Sequence, residues 1–226
     1  MKVDLHCHTE FSSDCSTPVA KILETYRDRG IDCAAITDHN EIDGALEAQR
    51  LGIIRVIVGE EIMTTQGEVI GLFLNELIPK GLPPREAVEA IRSQGGVVIA
   101  PHPTDRLRGS ALRPAALADL AERLDMVEVF NGRTVLSSDN EAARRFQESH
   151  GRIACVGSDA HTVQEIGGCY NEIDKFDGPE DFLAKMASAR LVTAKSPFRV
   201  HFHSTFAKLQ SRLARRKKLR DEVLRS

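Results

Sequence analysis

The chain has 226 residues, 42% of them hydrophobic and 28% charged, with a formal net charge of −3. That length fits one large domain or two small ones and can bury a core, and the composition is that of a globular protein. The near-neutral balance argues against a surface that is basic throughout, and no apolar run reaches the roughly 18 residues of a membrane span.

Two further features bound the reading. The five cysteines are an odd number without C-x-x-C spacing, so reduced, buried thiols are expected rather than a disulfide framework. The chain enters a strand pattern at once, with no basic stretch followed by an apolar leader, and the expected compartment is the cytoplasm. Charge is unevenly spread. Residues 201–226 hold eight Lys/Arg against two Asp/Glu, which leaves −9 for residues 1–200.

In chain order, strands are predicted at KVDLHCH (2–8), CAAITDH (33–39), RVIVGEEI (55–62), GEVIGLFL (67–74), GVVIAPHP (96–103), DMVEVFN (125–131) and RIACVGSDAH (152–161), with YNEI (170–173) an eighth candidate. Several are continuous apolar runs, the pattern of parallel strands covered by helices. Helices lie between them. STPVAKILETYRDRG offers a Ser/Thr cap, Pro18 in the first turn and Gly30 as the stop, and PPREAVEAIRSQGG and GPEDFLAKMASAR repeat that logic. Residues 1–200 read as one βαβα domain, and 201–226 as a basic helical extension.

The polar residues decide between a barrel and an open sheet. His6 and His8, Asp38 and His39, Glu60 and Glu61, His102, Asn131, Asp159 and His161 all fall at C-terminal ends of predicted strands. In a closed βα barrel those ends converge on one face, where active sites are built. A closed barrel is therefore expected.

In HCH, alternation puts His6 and His8 on one side and Cys7 on the other, so two imidazoles can grip one cation while Cys7 packs. ITDHN adds Asp38 and His39, APHP adds His102 on a turn stiffened by two prolines, and GSDAH adds Asp159 and His161, again two apart. One such pair is ordinary; together they point to a metal centre. The donors are His, Asp and Glu with no thiolate, which suits hydrolysis better than a structural zinc.

DLHCH, ITDHN, GEEI, APHP and GSDAH, in this order over residues 3–175, resemble the motifs of the PHP (polymerase and histidinol phosphatase) superfamily, and the chain resembles its small stand-alone metal-dependent phosphoesterases. The resemblance implies a distorted seven-stranded βα barrel with two or three divalent ions, Mn, Fe or Zn. By position it implies that His6, His8, Glu61 and Asp159 hold one ion, that Glu61 bridges to a second also bound by His102, and that Asp14, His39 and His161 hold a third. Asp14 stands where some relatives have histidine. Glu61, rather than Glu60, takes the glutamate of the family's G-x-E pattern. Where many relatives have a further histidine this chain has GEVIG, and Glu68 is the nearest replacement.

The expected reaction is hydrolysis of a phosphate ester by a hydroxide shared between two metals, which would also clamp a phosphoryl oxygen. The leaving oxygen would meet the third metal, or a proton from His161 or His39. Arg106, Arg108 and Arg133 lie just past strand ends; Arg106 and Arg133 are the favoured phosphate clamps. Asp38 is expected to orient its neighbours rather than bind metal. Small phosphomonoesters or nucleotides are the expected substrates, with no membrane partner. The alternatives are a nuclease or oligonucleotidase gripping its substrate with the basic tail, a non-catalytic metal-stabilised module that serves a partner, and a C–N hydrolase of the amidohydrolase type. For the tail, a solvated basic helix is the plainer reading, and His201 and His203 stand outside the motif pattern.

Overall fold

The computed structural model describes residues 1–194; the basic extension, with His201 and His203, lies outside them. The elements are β1 (Lys2–Asp4), α1 (Val19–Asp28), β2 (Cys33–Ile36), α2 (Asp43–Leu51), β3 (Arg55–Thr64), β4 (Gly67–Leu72), α3 (Pro84–Ser93), β5 (Val97–Ala100), α4 (Pro114–Leu120), β6 (Met126–Asn131), α5 (Ser137–His150), β7 (Ile153–Gly157), β8 (Tyr170–Glu172), α6 (Gly178–Met186) and β9 (Arg190–Val192). All eight predicted strands form, and β9 is an addition.

The strands make one sheet in the order β7-β6-β5-β4-β3-β2-β1-β8-β9. β1 to β7 curl into a nearly closed barrel. The seam lies between β1 and β7, where Cys7 bridges Ala160 and the main-chain amides of His8 and Asp159 donate to the carbonyls of Ala160 and His6 at 2.9 and 2.8 Å. Lower down, the Asn171 side chain closes the same seam: its amide donates to Val3 and Val156 carbonyls and its oxygen accepts from the Val156 amide. The seven-stranded expectation thus describes the wall, and β8 and β9 extend it antiparallel beyond β1.

Two expectations need correction. β4 is not a parallel strand: it returns from β3 through a tight hairpin and pairs antiparallel with both β3 and β5. Residues 65–66 are too few for the crossover that a parallel return requires. The Ser/Thr cap on α1 also fails to form. Pro18 occupies the cap position, and the Thr17 hydroxyl instead donates to the His161 carbonyl. Gly30 does end the helix, with φ 67°.

Alternation along each strand sorts the core into two layers. Ala34, Ile36, Val58, Val98, Ala100, Val127 and Val156 face outward onto Ile22, Leu23, Ala48, Val88, Ile91 and Leu117 of the helices. Cys33, Ala35, Ile57, Ile70, Leu72, Ile99, Met126 and Cys155 face inward, joined by Phe176, Phe182 and Met186. Continuing the inward set toward the rim brings β2, β3, β4, β6 and β7 to a polar residue, His39, Glu61, Glu68, Glu128 and Asp159, whereas His102, past the end of β5, stands out of this alternation. β1 departs from this period. Leu5 lies in the inner layer, Cys7 in the outer, and His6 also faces inward. The regular strand ends at Asp4, whose Oδ1 accepts the amides of His6 and Ser158 at 3.3 and 3.0 Å.

Candidate metal centre

Glu61 is fully buried and its two oxygens look in different directions. Oε1 lies 2.9 Å from His102 Nε2, while Oε2 lies 3.3 Å from His6 Nε2, 3.4 Å from His8 Nε2 and 3.1 Å from His39 Nδ1. Asp159 Oδ1 approaches the same pair of histidines, 3.3 Å from His8 and 3.6 Å from His6. A third carboxylate, Asp14 Oδ2, sits 3.3 Å from His39 Nε2 and 3.2 Å from His161 Nε2. Glu68 Oε1 is 3.3 Å from His39 Nδ1 and its Oε2 3.8 Å from His102.

All nine residues proposed from sequence as ligands therefore meet in one cluster. Their donor atoms fall into four overlapping groups, each within 4.8 Å: His8, Asp14, His39 and His161; His6, His8 and Glu61; His6, His102 and Asp159; His39, Glu61 and Glu68. The antiparallel run of β4 is what delivers Glu68. Its strand start lies at the rim where the other strands end, so a residue that sequence position alone puts at the wrong end arrives at the right face.

Several residues hold these donors without facing the cluster centre. Glu128, unassigned in the sequence reading, accepts from His6 Nδ1 at 3.0 Å, from the His102 amide at 2.7 Å and from Asn131 Nδ2 at 2.9 Å. The bond holds the ring with Nε2 turned toward Glu61, the arrangement that orients ligand histidines. Burial works against charge on His6, but in the metal-free protein Asp159, Glu61 and Glu128 raise it well above the usual imidazole range, so a cation there would replace a proton. The available signal was an acid between valines in an otherwise apolar strand. Gly157 makes room for the contact: a Cβ there would lie 2.3 Å from Glu128 Oε1 and 2.5 Å from His6 Cβ. Asp38 faces away from the donors, its oxygens taking the amide and hydroxyl of Thr9 at 2.6 Å each. Two cluster residues, His102 (φ 29°) and Asp159 (φ 54°), hold left-handed backbone, strain of a kind that gathers at functional sites.

Of the two favoured arginines, only Arg133 reaches the cluster. It is buried, with Nη1 2.7 Å from His161 Nδ1 and Nε 3.2 Å from Glu165 Oε1. Arg106 points outward onto Asp139 and Ser138, with its side chain 67% exposed. Arg108 takes the inner place instead, Nη2 2.6 Å from Asp159 Oδ2. Sequence spacing could not rank the two, because the loop's path decides which one turns inward. Glu60 faces the opposite side of β3 from Glu61, accepting the Ile78 amide at 2.9 Å.

The electrostatics favour bound cations. Buried atoms without a hydrogen-bond partner include His8 Nε2, Glu68 Oε2, Asp159 Oδ1 and His161 Nε2, all turned into the cluster. Such orphans are costly unless something charged completes them. Burial disfavours charge on Glu61 and Asp159, yet His39 and His6 beside the first, and Arg108 and His6 beside the second, hold both well below the usual carboxylate range. Burial and then the Glu61 charge push Glu68 up to about 8. Burial and then His161 lower His8 to about 3, so it stands neutral with a lone pair to offer. A donor set of imidazole and carboxylate without thiolate fits divalent ions of the Mn, Fe and Zn kind.

The model of the PHP domain family matches residues 4–149, and that of the PHP-associated family residues 137–191. The chain belongs to the PHP domain family. Two uncharacterized proteins of Methanocaldococcus jannaschii are similar: one is 35% identical, over 94% of this PHP chain and 92% of its own length, and the other 45% identical over 58% and 82%. Among solved structures, PsfC from Pseudomonas syringae superposes with a TM-score of 0.67 at 15% identity, over 92% of this chain and 98% of that one. A proposed metal-dependent phosphoesterase from Bifidobacterium adolescentis (19% identity) and an amidohydrolase from Chromobacterium violaceum (17%) each give 0.59, over 71% of this chain and 88% of theirs. At these identities the likeness establishes the shared fold.

Proposed function

We propose that this PHP domain is a metal-dependent hydrolase of phosphate esters, with small phosphomonoesters or nucleotides as substrates. The observation that carries the reading is the division of Glu61: one oxygen serves the His102 side and the other the His6–His8 side, so a single carboxylate can join two cations. His6, His8 and Asp159, which approach one another, would complete the first ion's shell, and His102 and Glu68 the second's. Divalent ions held there would supply Lewis-acid stabilisation of the negative charge that develops on a phosphoryl group, and would make water a stronger nucleophile.

The chain's own residues do the rest. Glu128 orients His6, and Asn131 Nδ2, 3.3 Å from Asp159 Oδ2, helps fix the carboxylate that Arg108 also touches. Arg108 carries a permanent planar charge beside the cluster, and we assign it to receive phosphoryl oxygens. His39 is the most open of the five cluster histidines. Burial works against its charge, but Glu61, Asp14 and Glu68 outweigh it and raise it to about 10. In the metal-free protein it therefore holds a proton between Asp14 and Glu61, and we assign it to meet a departing oxygen when the Asp14 group takes no ion.

The test is phosphate release from phosphomonoesters and nucleotides by protein supplied with Mn²⁺, Fe²⁺ or Zn²⁺, abolished by chelation. Amide and lactone substrates serve as the comparison set. Turnover confined to the amides would replace this reading with C–N hydrolysis, and silence of fully metallated protein on every substrate would leave a binding module.

A further inference from the structure

We infer that Arg133 and the main-chain carbonyl of Asp159 compete for one atom, Nδ1 of His161, and that the outcome decides whether His161 can take a cation. Nδ1 lies 2.7 Å from Arg133 Nη1 and 2.9 Å from the Asp159 oxygen. A guanidinium nitrogen has only hydrogens to offer and a carbonyl only lone pairs. Pairing with Arg133 requires a lone pair on Nδ1, which leaves the proton of a neutral imidazole on Nε2. Pairing with Asp159 requires the proton on Nδ1, which frees the Nε2 lone pair. The two pairings exclude each other.

Nε2 is the atom that faces the Asp14 group, 3.2 Å from Asp14 Oδ2, and it has no aligned hydrogen-bond partner. Only the Asp159-paired form presents a lone pair there. In the metal-free protein the arginine pairing prevails, because it is the shorter contact and a charge-assisted one. The arginine is also held in place. Its Nε is 3.2 Å from Glu165 Oε1, and its main-chain amide donates to Asn131 Oδ1 at 2.9 Å. The other oxygen of Glu165 accepts the amides of His161 and Thr162 at 3.0 and 2.9 Å, and the Thr162 hydroxyl at 2.9 Å. One buried glutamate thus ties the arginine to the loop that carries His161.

Arg133 is accordingly a positioning residue. A cation entering among Asp14, His39 and His161 must displace it from Nδ1, so this group binds its ion more weakly than it would without the arginine. The consequence for metals rests on the reading of the cluster as a metal centre; the tautomer does not.

The test is long-range ¹H–¹⁵N NMR of the imidazoles in the metal-free full chain, with His161 assigned by the signals missing from His161→Gln. The expected wild-type spectrum shows His161 protonated at Nε2, and Arg133→Met moves the proton to Nδ1. A proton already on Nδ1 in the wild type overturns the inference. Because that measurement needs neither metal nor substrate, it stands apart from the hydrolase reading. In Zn²⁺ titration, Arg133→Met should hold its last ion about tenfold more tightly than wild type, the scale of one charge-assisted hydrogen bond. Coincident titration curves would equally overturn it.

Discussion

Glu61 and Glu68 meet at a single atom. His39 Nδ1 lies 3.1 Å from Glu61 Oε2 and 3.3 Å from Glu68 Oε1, with the two carboxylates on adjoining strands of the β3–β4 hairpin. Burial and the Glu61 charge put Glu68 at about 8, while the surrounding carboxylates raise His39 to about 10 against its burial. At pH 7 both therefore carry protons in the metal-free protein, and a divalent ion must displace them to bind there. Apparent metal affinity should rise as pH climbs from 6 to 8, and calorimetry in buffers of different ionisation enthalpy should register proton release. Glu68→Gln, neutral throughout, should lose part of that release and weaken one ion by about 10- to 100-fold while the barrel stays folded. Full occupancy in the variant would return Glu68 to a structural role.

Asp159 links the cluster to Arg108, at 2.6 Å. Replacing it by Ala removes a donor from the His6–His8 side and leaves a mostly buried guanidinium without its closest partner, a loss of roughly 3 kcal/mol. Metal content, turnover and melting temperature should fall together. The rise in melting temperature on adding Mn²⁺ should also shrink relative to wild type. Unchanged metal content and melting temperature would remove Asp159 from the ligand set.

Glu128 touches the cluster only through His6 Nδ1, the His102 amide and Asn131. Glu128→Gln should keep the fold, since an amide replaces the carboxylate in nearly the same volume, yet cost about 10- to 100-fold in metal affinity. Gly157→Ala should produce the same defect from the other side, because its methyl would occupy the space of the His6–Glu128 contact. Dissociation constants for Mn²⁺ in both variants, with circular dichroism as the fold control, check this.

All five cysteines are buried and free. Burial pushes Cys15 up to about 11 and Cys33 and Cys169 up to about 12. A raised thiol pKa means less thiolate, about one part in a thousand or fewer at pH 8, and the thiolate is the reactive form. A thiol reagent such as DTNB should label the native protein at none of the five within minutes and at all five in guanidinium. Rapid labelling of even one native thiol would contradict the packing described.

Residue types and their order determined much of this protein. The inward and outward layers of β2 to β7 follow from alternation, which depends only on local backbone geometry, and the motifs HCH, ITDHN, APHP and GSDAH each place donors at strand ends. That is why six of the nine candidate ligands, His6, His8, His39, His102, Asp159 and His161, arrive on one face. What the tertiary structure alone decided are relations between distant segments. The return of β4 brings Glu68 to the rim, and the path of the 104–113 loop turns Arg108 inward and Arg106 out. Glu128, 122 residues from His6, becomes its partner only when closure sets β1 beside β7, so that the two side chains meet over Gly157. The tautomer of His161 likewise depends on an arginine 28 residues away. Periodicity is a property of neighbouring residues, whereas these contacts arise from barrel closure, which no local pattern encodes.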